Sequence, residues 1–408
     1  MPCRLDPAAT APRTPPAAAP LPEPLGWIAE DLAAIRSADL ERPQRVRSGR
    51  QGREVRLDGR TLVNFGANDY LGYAGDVRLT KAAAKAACAE GFGAGASPLV
   101  SGHSVAHELL ERSIADLLEV DAAVSFPSGF AANAATIAAL VGPGDFIASD
   151  ARNHASIIDG CRLSRAAVGV YPHRDMAALG GLLAQSGSAR RRLVVTDTLF
   201  SMDGTIAPLA DLCAVARKYD AILMVDEAHA TGVFGGRGGG LVEEAGCADG
   251  VHVRVGTLSK AIGAAGGFVA GHGDLIHWLR HRARAWIFST AHPPAVAAAA
   301  ARGIALVAEE PHRRRELLAA AAAFREALAA AGIAAAGRGQ IVPIVVGAAD
   351  RAVAVAARLA ESGLFVPAIR PPSVADGGSL VRVSLAWHHT PDDRDRLVSS
   401  LVSLLRSA

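Results

Sequence analysis

Lysine is scarce in this chain: of 42 basic residues only Lys81, Lys85, Lys218 and Lys260 are lysines. Lys81 and Lys85 lie four apart on a polar helix face, and Lys218 closes a helix, where a cation suits the dipole. Lys260 stands apart. It follows a strand in RVGTLSKAIGAAGG, among small residues that leave room for a bulky ligand and few polar groups to hold its proton. A lysine of lowered pKa is what Schiff-base chemistry needs. A phosphate-loop lysine is the alternative, but Ser259 and Ala261 break the P-loop pattern. A surface charge is the remaining one.

Asp226 ends the apolar run AILMVD, 34 positions before Lys260, and is followed by Glu227, Ala228 and His229. A strand of this kind delivers a carboxylate to one edge of a sheet. Facing a pyridine nitrogen, it would keep that nitrogen protonated and make pyridoxal phosphate an effective electron sink. A turn cap or a magnesium ligand is the alternative, and the chain has no Walker A loop to complete the magnesium reading. In SFPSGFAANAA, Ser128, Gly129 and Phe130 stand between a strand and a helix, where free N–H groups suit a phosphate. His154 (RNHAS), Asn68 (FGANDYLG) and Ser201 (DTLFSMDG) are polar residues in turns after apolar runs. Arg370 in AIRPPSV has the bidentate fork for a carboxylate. HELLE (107–111) opens like a zinc-protease helix, but Glu111 stands where the second histidine is required, so no metal is expected.

These residues need a frame. Short apolar runs at 122–126, 146–149, 166–171, 193–197, 221–226, 252–255 and 266–271 alternate with helix-period segments at 129–141, 175–184 and 208–219. That alternation predicts an α/β fold with a mostly parallel sheet, whose ligands sit outside the carboxyl ends of the strands. Beyond Gly271 long Ala- and Arg-rich helices (273–286, 293–308, 310–331) precede a smaller α+β domain. The expected division is a Pro/Ala-rich unfolded leader over 1–24, a helix and arm over 25–62, a large domain over 63–290 and a small one over 291–408. Eight of the 22 prolines fall in that leader.

Composition narrows the function. A net charge of +2 and 5% aromatics give neither the field nor the stacking platforms of a nucleic-acid binder. The longest charge-free stretch, 122–144, is broken by Pro127, Gly129, Asn133 and Pro143, so no membrane span is expected. Five dispersed cysteines without C-x-x-C spacing fit reduced thiols in the cytoplasm.

Taken in order, NDYLG, SGH, SGFAANAA, NHAS, FSMDG, VDEAHATGVFG, TLSKA and AIRPPSV resemble the α-oxoamine synthases, pyridoxal-phosphate enzymes of the aspartate-aminotransferase fold type (fold type I). The resemblance runs from about residue 26 to the C-terminus. It implies that Lys260 holds the cofactor, Asp226 pairs with the ring nitrogen, His229 and Ser201 contact the ring hydroxyl, and His154 stacks on the ring. Ser128, Gly129, Phe130 and Thr257 would hold the phosphate. Ser289 and Thr290, in WIFSTAHPP, would reach the phosphate of a second subunit in a homodimer. Arg370 would bind the amino-acid carboxylate with Asn68 and Asp197 nearby, and Arg42 would face the acyl substrate. AIRPPSV is most similar to the biotin-pathway branch, which condenses L-alanine with a pimeloyl thioester. Sister branches use glycine with acetyl-CoA or serine with a long acyl-CoA, and a non-catalytic relative would typically lack the lysine. Pro98 and Leu99 depart from the glycine and basic residue usual beside the acyl site.

Overall fold

The structure, a computed structural model, describes residues 22–406, so the expected leader lies outside the described residues as far as position 21. Helix α1 (Trp27–Ser37) leads into strands β1 (Arg47–Ser48), β2 (Glu54–Leu57) and β3 (Arg60–Asn64). Helices α2 (Val77–Glu90) and α3 (Val105–Leu118) come next. The alternating region runs β4 (Ala122–Phe126), α4 (Gly129–Leu140), β5 (Phe146–Asp150), α5 (Ala155–Ser164), β6 (Ala167–Tyr171), α6 (Met176–Gln185), β7 (Arg192–Asp197), α7 (Leu209–Lys218), β8 (Ile222–Asp226), α8 (Leu241–Glu244), β9 (Val253–Thr257) and β10 (Gly267–Gly271). Helices α9 (Gly273–Arg282), α10 (Arg284–Ile287), α11 (Pro294–Glu309) and α12 (Pro311–Ala330) follow. The chain closes with β11 (Ile341–Gly347), α13 (Ala349–Glu361), β12 (Leu364–Phe365), β13 (Ala368–Ile369), β14 (Ser379–Ser384) and α14 (Pro391–Arg406).

Seven strands form one sheet in the order β4-β10-β9-β8-β7-β5-β6. Only β10 runs against its neighbours, so the carboxyl ends of the other six share an edge. Alternate residues bury into two clusters on opposite faces: Leu223 and Val225 on one side, Met224 and Val255 on the other. Burial on both faces explains why these strands read as unbroken apolar runs. The run expected as one helix over 273–286 steps at Ala283, where the extended turn brings Trp286 inward against α4.

The arm and the C-terminal unit are joined. Strand β3 pairs in parallel with β12, completing a four-stranded sheet β1-β2-β3-β12. Strands β11, β14 and β13 make a third, antiparallel sheet. Helix α11, beyond residue 290, packs on α2 and α3. A Cβ on its Gly303 would stand 2.3 Å from the carbonyl oxygen of Ile262, so this helix presses directly on the loop that carries Lys260.

Candidate active site

The shared carboxyl edge of the sheet gathers the polar residues. Asp197 and Asp226 are register partners at the ends of β7 and β8, side by side on one face, and both are buried. Asp226 Oδ1 accepts the Ala228 N–H at 2.7 Å, and Oδ2 accepts from Asn133 Nδ2 at 2.6 Å. Asp197 accepts the His154 N–H at 2.9 Å, while Asn153 ties the same turn to β7 through Val195 O at 2.8 Å and the Asp197 N–H at 3.0 Å. Burial, reinforced by the neighbouring Asp226, pushes the Asp197 carboxyl well above the usual carboxylate range.

Lys260, in the turn after β9, places Nζ 2.9 Å from His229 Nε2. Among the described residues no carboxylate lies within ion-pair distance of it. Burial lowers its pKa to about 8, against the opposing pull of Asp226 and Asp197. His229 is held neutral, well below the usual histidine range, by burial and by the Lys260 and Arg382 charges. Its Nδ1 sits 2.6 Å from Tyr70 Oη, which lies 3.1 Å from Asn68 Oδ1. The chain of bonds has one consistent direction: Lys260 donates to Nε2, Nδ1–H donates to Tyr70, and Tyr70 donates to Asn68.

Arg382 meets this chain from the middle of β14. Its Nε donates to Ser201 O at 2.5 Å, Nη1 to Asn68 Oδ1 at 3.2 Å and Nη2 to Tyr70 Oη at 3.4 Å. It is buried, with no carboxylate among the described residues in ion-pair range. A buried guanidinium without an anion is costly, and an incoming carboxylate would relieve it. Arg370, read from sequence as the carboxylate grip, lies elsewhere: it donates to the backbone oxygens of Asp39 and Glu41. Arg42 donates to Pro371 O, and Arg42 and Arg370 line a cavity of about 340 Å³ with Val353, Phe365 and Ile369. Arg370 follows the exposed arm because its own segment pairs at the edge of the third sheet, whereas Arg382 occupies a buried strand.

At the α4 terminus Ser128 caps the helix by accepting the Ala131 N–H at 3.1 Å, leaving the Gly129 and Phe130 N–H groups without a partner among the described residues. A Cβ on Gly267 would lie 2.5 Å from Gly129 N, so β10 and this turn touch backbone to backbone. Thr257 Oγ1 lies 2.8 Å from Ser259 Oγ beside Gly129. Ser289 and Thr290 line a small cavity with Pro98, Pro127 and His292.

The sequence reading does not single out Tyr70, Asn133 or Arg382. A charge in the apolar strand LVRVSL and an amide in the apolar helix GFAANAATIAAL are the signals that could have found two of them.

Residues 60–401 match the family model "Aminotransferase class I and II". The 8-amino-7-oxononanoate synthase of Anaeromyxobacter sp. is 50% identical over 94% of this chain and 96% of its own length. That of Citrifermentans bemidjiense is 48% identical over 89% and 94%. The chain belongs to the class I and II aminotransferase family, among its 8-amino-7-oxononanoate synthases. Solved members of this family superpose on it. Serine palmitoyltransferase from S. paucimobilis, with a bound PLP-myriocin aldimine, gives a TM-score of 0.89 at 28% identity, covering 94% of this chain and 98% of its own. The 8-amino-7-oxononanoate synthase of Francisella tularensis gives 0.73 at 25% identity, covering 85% and 98%. The family's cofactor is pyridoxal phosphate, and its fold is the aspartate-aminotransferase type expected above. The residues present fit that group: a half-buried amine and a helix start whose first N–H groups have no partners among the described residues, with a buried carboxylate at the same sheet edge. Family members of this kind act on an amino acid and a thioester. Among the described residues, no helix is long and apolar enough to cross a membrane.

Proposed function

We propose that the chain condenses L-alanine with a pimeloyl thioester, carried on coenzyme A or a carrier protein, to give 8-amino-7-oxononanoate, carbon dioxide and the free thiol carrier, in biotin synthesis. The observation that carries this reading is the pair of cations, Lys260 and Arg382, that have no ion-pair partners among the described residues and meet the same Tyr70–His229 chain, in a chain up to 50% identical to relatives of that name.

Bound pyridoxal phosphate supplies an electron sink for a carbanion at the amino-acid Cα. Lys260 would hold the cofactor, and its amine would take and later return the Cα proton. A pKa near 8 suits a base working close to neutrality. Asp226 would pair with the ring nitrogen, His229 and Ser201 with the ring hydroxyl, and His154 would lie against the ring. Ser128, Gly129, Phe130 and Thr257 hold the phosphate. Arg382, in place of Arg370, grips the alanine carboxylate with Asn68, and Asp197 orients the His154 turn. Arg42 and Arg370 belong to the acyl side.

The homodimer reading is supported by an apolar surface. Phe92, Val100 and Phe288 are each more than 70% exposed. They lie on adjoining segments, tied together by the Ala291 N–H to Ala96 O bond at 3.0 Å. Isolated chains rarely leave such a patch open. Ser289 and Thr290 border it, as residues reaching a second subunit's phosphate would. A cytoplasmic location is supported by Cys88, Cys161, Cys213 and Cys247, all free thiols.

Thiol release and product mass spectrometry with alanine, glycine and serine, each paired with pimeloyl-CoA, test the reaction. Alanine should lead, with 8-amino-7-oxononanoate as the product. The serine palmitoyltransferase likeness makes serine with a long acyl thioester the second reading, and faster turnover of serine with a long acyl-CoA than of alanine with pimeloyl-CoA would establish it in place of the first.

A further inference from the structure

Helix α4 is apolar except for Asn133 and Thr136 on its buried side. Asn133 is 1% exposed, and both hydrogens of its amide are in use: Nδ2 lies 2.6 Å from Asp226 Oδ2 and 2.9 Å from Ser156 Oγ. Its Oδ1 is buried without a partner among the described residues. Turning the amide over would set a carbonyl oxygen against the Asp226 carboxylate, so the nitrogen must face Asp226. An orphaned buried oxygen is a real cost, and it is tolerated here to keep two donors in place.

The consequences run outward. Ser156 Oγ accepts from Asn133, so its own hydrogen is free for His154 Nδ1, 2.7 Å away. The Ser156 N–H points at the same Nδ1 at 3.3 Å. With two donors on it, Nδ1 can only accept, and the ring proton rests on Nε2. The close approach of α4 and α5 that permits this depends on Gly160, where a Cβ would meet Ile137 Cδ1 at 2.9 Å and Ala134 Cα at 3.0 Å. The charged and titratable groups around His154 are Asp197 and Asp226 at the ends of β7 and β8, Lys260 after β9, and His229. Partial desolvation of the ring and the Lys260 charge disfavour a charged imidazole there, while Asp226 favours one.

We propose that Asn133 is a positioning residue that fixes, through one amide, both the Asp226 carboxylate and the neutral Nε2–H form of His154, in the order Asp226 ← Asn133 → Ser156 → His154. This rests on the pyridoxal-phosphate reading of the site and deepens it. The groups assigned to the ring nitrogen and to the ring face then share one support, and the imidazole adds no charge beside the ring.

Histidine-selective ¹⁵N NMR of the holoenzyme tests the proposal, with the His154 signal identified by its loss in His154→Gln. Pyridoxal-phosphate affinity is measured alongside, by fluorescence quenching of the apo-protein. Wild type should show His154 as the Nε2–H tautomer. Asn133→Asp keeps the size but puts an acceptor where the donor stood. The Ser156 hydroxyl should turn to it, raising the His154 midpoint by about one pH unit or more and weakening cofactor binding at least about tenfold. Ser156→Ala should raise the His154 midpoint while changing cofactor affinity less than about threefold, since the Asn133 to Asp226 bond survives. Should Asn133→Asp fail to fold, Ser156→Ala and the wild-type tautomer decide. A wild-type Nδ1–H tautomer, or unmoved midpoints in variants that bind the cofactor, overturns the assignment to Asn133 alone. A wild-type chain that binds no pyridoxal phosphate overturns the underlying reading with it.

Discussion

Asp226 and Glu227 are consecutive acids at the end of one strand, and they live in opposite chemistries. Glu227 points to the sheet face that carries Leu223 and Val225, where Oε2 meets Arg254 Nη2 at 2.6 Å and Nε at 3.0 Å, and Oε1 accepts the Val242 N–H at 2.9 Å. Arg254 in turn donates to Leu118 O and Gly239 O. Both side chains are buried and paired. Asp226 points the other way, is buried too, and has two N–H donors and, among the described residues, no cation in ion-pair range. The side with every charge cancelled holds the edge of the sheet together. The side with charges left over is built to receive something.

Exchanging each acid should separate the two roles. Asp226→Asn should lower kcat by about 10³-fold while leaving stability within about 1 kcal/mol, seen in steady-state turnover and denaturant unfolding together. Glu227→Ala strands Arg254 in the interior and should cost about 3–5 kcal/mol of unfolding free energy. A Glu227→Ala protein that unfolds like wild type would break the comparison.

Substrate grip comes next in size. Arg382→Lys loses the planar fork and should raise the KM for the amino acid about 10- to 100-fold, with the thioester KM little moved. Arg370→Ala should do the reverse. If Arg370→Ala alone weakens alanine, the carboxylate site belongs to the arm and not to β14.

The smallest effect is on pH. Attachment of pyridoxal phosphate to the apo-protein needs the neutral Lys260 amine, so its rate should climb with pH up to about 8 and level off above. The Asp226 charge holds that value up against burial, so Asp226→Asn should move the midpoint lower, and stopped-flow absorbance would show it. Glu227→Gln should leave it in place, because Glu227 faces away.

Much of this was legible in the chain itself. The seven strands of the main sheet fall within a residue or two of the apolar runs, because burial on both faces writes itself as unbroken Val, Ile, Leu and Ala. Lys260, Asp226, His229 and His154 could be found because each is a polar residue just after such a run. Arg382 was hidden for the opposite reason: it lies inside a strand, where pattern reading sees only β14. Arg370 was conspicuous in an irregular, proline-rich segment, yet that segment follows the arm. Asn133 was masked by its helix, since nothing in GFAANAATIAAL says which carboxylate a buried amide will meet. The union of β3 with β12 joins residues some 300 positions apart, and no local pattern records it.

The central claim is that one amine carries the cofactor. Borohydride reduction of the purified holoenzyme, followed by peptide mapping, tests it most directly. The account predicts a single pyridoxyl label, on Lys260, and none in Lys260→Ala. A label on Lys81, Lys85 or Lys218, or no label at all, would contradict it.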